Sequence, residues 1–210
     1  MLHRTIMMGA CLLLGLAACC PLTSDHPLGP PQDALYDARL DGAWRIASSQ
    51  EEPGFVHLGK ADGNRMQVLA LEHKDNGRME WAAFKVYVIA RAGNHYLNID
   101  LKDVGTEEAR NHQGYVVVQY SLPDNDTLVL ARMDLETVVA AIQAGKLSGE
   151  ITYASSGPES AGNPAKKKPP IGAKAECARI TDTSTNLSRF LSAANIHDLF
   201  VPYLTLKRIH

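Results

Sequence analysis

Seven short segments rich in β-branched and aromatic residues, each closed off by turn chemistry, constrain this chain more than any other feature. They are Gly42–Ser49, Gly54–Gly59, Met66–Leu71, Trp81–Ala90, His95–Leu101, Gly114–Ser121 and Thr127–Met133. Between them stand Asp62-Gly63, Asn76-Gly77, Gly93-Asn94 and Pro123-Asp124-Asn125-Asp126. Such residues supply the positive or preset φ that tight hairpins require, so consecutive segments are expected to pair antiparallel in a meander. Within the fourth segment Phe84, Val86 and Val88 alternate with Lys85 and Tyr87, which predicts one buried and one partly wet face.

Two helical patterns interrupt the strands. Asp134 is a plausible N-cap for Leu135–Ala144, with Leu135, Val138, Val139 and Ile142 on one side and Gly145 as the stop. Thr183 or Ser184 caps a second over Asn186–Ala194, and a last strand is expected over Pro202–Ile209. Residues 154–174 carry Ser155-Ser156-Gly157-Pro158, Asn163-Pro164 and Lys166-Lys167-Lys168-Pro169-Pro170, and read as an exposed Lys/Pro-rich insertion. No internal repeat and no second hydrophobic core is evident, so residues 34–210 are expected to form one β-rich domain. A net charge of −2 argues against a nucleic-acid partner, and 45% apolar with 21% charged residues excludes a wholly disordered or multi-span chain.

The N-terminus has a different character. Arg4 is the only charged residue in positions 1–18, and the apolar stretch Ile6–Ala18 is shorter than the roughly 20 residues of a spanning helix, which fits a signal peptide over 1–18. It ends in Leu16-Ala17-Ala18-Cys19, which resembles the lipobox of bacterial lipoproteins. The resemblance implies cleavage before Cys19, a diacylglycerol on its thiol and an N-acyl chain on its amine. Acylation of this kind anchors a protein stably to a bilayer. It further implies a lipid-anchored protein of the cell envelope facing the periplasm. The outer membrane is favoured over the inner because Cys20, not Asp, follows the acylated position. Residues 19–33, with four prolines, read as a tether. Of the remaining cysteines, Cys177 is expected either to be buried as a small hydrophobe or to bridge to Cys20.

Gly42-Ala43-Trp44, opening the first strand, is similar to the Gly-x-Trp signature of the calycin superfamily, which includes the lipocalins. There the Trp closes one end of an antiparallel barrel, and a basic residue of the last strand packs over it. Arg208, in phase with Leu204 and Leu206, stands where that residue is required. The resemblance implies a mainly β fold, either an antiparallel calycin-like β-barrel or a strongly curved sheet with two short α-helices, with Trp44 and Arg208 as its closing pair. The mature region as a whole is similar to small bacterial lipoproteins with a lipocalin-like domain, a likeness that names no activity.

No phosphate-binding Gly loop, His-Glu-x-x-His, Gly-x-Ser-x-Gly elbow or Cys pair at metal spacing is present, so no catalytic residue, metal or further cofactor is assigned. On Asn94–Asp100, Tyr96, Asn98 and Asp100 share a face and are the candidates for lining a ligand site. The expected role is non-catalytic binding of a hydrophobic ligand or an envelope component. The alternative is an interaction or assembly protein whose barrel is filled and whose partner is a periplasmic protein. The size of the inward side chains decides between them.

Overall fold

The computed structural model describes residues 22–47, 54–73, 79–105, 109, 112–153, 174–193 and 196–210. The signal peptide, Cys19, Cys20, the Asn76-Gly77 turn and residues 154–173 of the insertion lie outside them. In chain order the elements are β1 (Thr23–Ser24), β2 (Gly42–Ile46), β3 (Phe55–Lys60), β4 (Arg65–His73), β5 (Met79–Arg91), β6 (Asn94–Asp100), β7 (Tyr115–Asp124) and β8 (Thr127–Met133). There follow α1 (Leu135–Gln143), β9 (Gly149–Tyr153), β10 (Ala175–Ile180), α2 (Ser184–Ala193), the single turn α3 (Ile196–Leu199) and β11 (Phe200–Arg208).

Eight of the strands close into an antiparallel barrel in the ring order β6-β5-β4-β3-β2-β11-β8-β7. Closure is made by β6 on β7, with Leu97 opposite Val118, and by β11, which lies between β2 and β8. This architecture is consistent with the calycin-like expectation. The alternation seen in β5 holds: Phe84, Val86 and Val88 face the lumen, where they meet Val56, Leu58 and Val68. A tight hairpin joins β5 to β6 as anticipated, but one residue earlier than Gly93-Asn94: Ala92 and Gly93 take positive φ (48° and 77°), and Asn94 already belongs to β6.

The lumen is filled. Between Phe84, Leu97, Val118, Leu128, Leu130 and Tyr203 a cavity of only about 30 Å³ remains. An eight-stranded barrel has an interior just wide enough for its own side chains, and here branched aliphatics from every strand occupy it.

Three features differ from expectation. A second hydrophobic core lies outside the barrel wall, where Val117, Met133 and Phe200 meet Val138 of α1, Ile180 of β10 and Leu187 of α2. It escapes a search for alternation because β7 and β8 also carry apolar residues on the outer face, Val117, Ala131 and Met133, the mark of strands covered on both sides. The strands β9 and β10 supply that cover with the two helices, and β10 pairs antiparallel with β9 and parallel with β1. Part of the stretch 19–33, anticipated as a tether, is packed, while residues 30–33 are exposed. Thr23 and Ser24 join the sheet, and Leu28 is fully buried beneath the strap that runs on to Ala34. Among the described residues no helix is long and apolar enough to cross a membrane.

One glycine is required where strap and barrel meet. Gly114 has φ +97°, and a Cβ there would stand 2.4 Å from the carbonyl oxygen of Ser24, so only glycine lets β1 lie against the start of β7.

Candidate functional site

With the lumen occupied by side chains, the larger cleft lies on the outside of the barrel. It has a volume of about 400 Å³ and sits over β4–β7, between the strap and the β3–β4 hairpin. Strand register builds its floor in two rows. Arg65, Tyr87 and Asn98 are successive cross-strand partners, and one step along, Asp100 is the partner of Tyr115. Pro31 and Ala34 of the strap form one wall; Asp62 and Asn64 of the hairpin form the other, joined to the strap by Asn64 Nδ2, which donates to the carbonyl of Ala34 at 2.8 Å.

The cations at the rim are neutralised. Lys85 Nζ donates to Asp62 Oδ1 at 2.7 Å, and Arg65 lies 3.5 Å from the other oxygen of the same carboxylate. Donation from Lys85 holds the Asp62 carboxyl below its usual range. Asp100 and Asp103 complete the lining, so three carboxylates face two cations.

Two buried groups on the floor have no hydrogen-bond partner: Tyr87 Oη and Asn98 Nδ2. Asn98 is fully buried and its orientation is fixed, because Leu28 N donates to Asn98 Oδ1 at 2.7 Å. An N–H can only meet the oxygen end of the amide, so the unsatisfied end is the donor. Burial, followed by the nearby Tyr115 and Asp100, pushes the Tyr87 phenol upward, so it is a protonated donor at neutral pH. Burial and Asp100 likewise raise Tyr115. An unmade hydrogen bond on a buried polar group costs about 1–3 kcal/mol, so two side by side in one cleft call for a partner.

The sequence-predicted site residues separate. Asn98 and Asp100 both line the cleft. Tyr96 shares their phase on β6 but lies in the outer core, its ring 5.4 Å from that of Phe200. Burial raises its pKa to about 12. Trp44 and Arg208 are elsewhere, at the closed end of the barrel: the Arg208 guanidinium carbon lies 4.1 Å from the centre of the indole, and Trp44 has no exposed surface. Cys19 lies outside the described residues. Sequence reasoning missed Tyr87, Arg65, Lys85, Asp62 and Tyr115, which only cross-strand register assembles. The one available signal was the assignment of Lys85 and Tyr87 to the partly wet face of β5.

Cys177 is disulfide-bonded, its partner outside the described residues, and among the described residues no three His, Cys, Asp or Glu gather to hold a metal ion. The chain matches no protein-family model, no curated protein and no solved structure.

Proposed function

We propose that this chain is a lipid-anchored protein of the bacterial cell envelope, acylated on Cys19, whose domain binds an envelope component without covalent chemistry through the outer cleft. The observation that supports this reading is the contrast in volume between a lumen holding about 30 Å³ and a cleft of about 400 Å³ with unsatisfied donors on its floor. Small-molecule sites ordinarily occupy roughly 300–1,000 Å³, and a hydrophobic ligand needs an apolar chamber that this barrel lacks. The disulfide at Cys177 favours an oxidising compartment such as the periplasm. The lipobox supplies the anchor, and Cys20 in place of Asp after it favours the outer membrane.

A second reading has one observation in its favour. Met79 and Trp81 stand 49% and 70% exposed on the outer face of β5, beside their neighbour Leu71 on β4. An exposed apolar patch suits a protein partner, which would make the molecule an assembly factor.

Native mass spectrometry of the full-length lipoprotein from its own host membranes, with radioactive fatty-acid labelling of the parent and of Cys19→Ser, tests the proposal. A retained polar small molecule, and labelling lost in the variant, is the expected result. A co-purified protein and a bare mass would favour the assembly reading, and labelling that persists would overturn the anchor.

A further inference from the structure

We infer that the cleft takes a neutral, hydroxyl-rich ligand, a sugar unit of an envelope glycan; the inference rests on the cleft being the binding site. Its chemistry is complementary in kind. Tyr87 Oη and Asn98 Nδ2 each need an acceptor, and the carboxylates of Asp100 and Asp103 can only accept. A group that receives hydrogen bonds from the first pair and donates to the second within one small volume is an array of neighbouring hydroxyls. Tyr87 and Tyr115 add aromatic rings to the lining, the kind of apolar surface that the C–H side of a sugar ring packs against.

Charge removes the main rival among small ligands. Both lining cations are already held by Asp62, and with Asp100 and Asp103 counted the lining carries one more negative than positive charge. A phosphate or carboxylate would meet that excess with no cation free of Asp62. Burying an ion without a counter-charge is strongly unfavourable. A hydrophobic chain would leave the two donors unsatisfied.

A peptide also donates and accepts, but it is recognised chiefly by adding a strand to a free sheet edge. The floor of this cleft has no such edge: β5 is paired with β4 and β6, and β6 with β5 and β7. Side chains make up most of the lining, with Gly63 alone offering backbone, and the strap forms one wall. Recognition by side-chain hydrogen bonds and aromatic faces is what a saccharide uses.

The test is a titration of the full-length lipoprotein in detergent with chitotetraose, a neutral oligosaccharide, alongside inorganic phosphate and a neutral tetrapeptide. Binding is read by calorimetry and by the side-chain amide signal of Asn98. Tyr87→Phe removes one donor and keeps the ring, and should weaken chitotetraose about tenfold while leaving the melting temperature within a few degrees. Asn98→Asp retains the acceptor for Leu28 and loses the donor; its loss of binding must match the Tyr87→Phe result in direction. Shift of the Asn98 amide by chitotetraose alone supports the inference. Binding of phosphate or the tetrapeptide at the same amide overturns the sugar assignment and keeps the cleft as a site. No perturbation by any probe, with a ligand-free mass from the host, overturns the cleft itself.

Discussion

At the scale of single residues, Arg208 fastens the closed end of the barrel in two ways. Its guanidinium covers the Trp44 indole, and its Nη1 and Nη2 donate to the carbonyls of Asp41 and Arg39 at 2.5 Å each. Gly42 makes room for it: its φ is +124°, and a Cβ there would lie 2.9 Å from Arg208 Nη1. The Trp44 Nε1–H donates to the Leu40 carbonyl at 2.8 Å, so the fully buried indole is satisfied at both its face and its edge. Trp44→Ala removes all of this and should cost about 3–5 kcal/mol in guanidinium unfolding; an unchanged midpoint would show that the cap is dispensable. The same end carries Asp37. Burial alone would raise its pKa, yet hydrogen bonds from Arg39 and Tyr120 outweigh it and hold the carboxyl at about 2. A folded pKa below the unfolded value of about 3.9 stabilises the protein above pH 4, and that stabilisation is lost as pH falls through about 2. Asp37→Asn should therefore be less stable than the parent at pH 7, with the gap closing between pH 4 and pH 2; a gap that widened on acidification would contradict the assignment.

At the scale of elements, what could be foreseen follows from which interactions are local. Turn residues and two-residue alternation are local, so β2 to β8, α1, α2 and β11 were legible to within a few residues. Asp134 accepts from Thr137 N at 2.8 Å and Gly145 ends the helix at φ +67°, as their positions in the sequence imply. β1, β9 and β10 were not legible. Each is short, and what makes it a strand is the barrel wall or the neighbour it pairs with, not a pattern of its own. The second core was hidden for the same reason: Tyr96, Val117 and Ala131 sit in the phase that alternation assigns to water, and only the elements after β8 cover them. The cleft shows a finer version of this. Asn98 and Asp100 stood out, with Tyr96, as one face of a strand that mixes polar and aromatic residues, whereas Arg65, Tyr87 and Tyr115 are unremarkable until register sets them beside β6.

At the scale of the whole molecule, the question is how firmly the domain would be held to the proposed anchor. A flexible tether over 19–33 would let it sample many orientations above a membrane, but from residue 22 onward the chain is part of the fold, and Thr23 pairs with Arg179. The disulfide at Cys177 tightens this further, since the other cysteines of the chain are Cys11, Cys19 and Cys20. Cys11 lies within the apolar stretch that signal cleavage would discard, and acylation would consume Cys19. The adjacent Cys20 is therefore the expected partner. On a chain-entropy argument, a bridge closing a loop of this length restricts the unfolded state by up to about 5 kcal/mol. Peptide mapping of the protein without reduction should find Cys20 linked to Cys177, with both proposed acyl modifications on the preceding residue Cys19. Such a molecule would carry its lipid at the margin of its own sheet and present the cleft at a restricted angle to the membrane. A Cys19–Cys177 peptide would overturn both assignments at once, because a sulfur in a disulfide cannot carry the diacylglycerol.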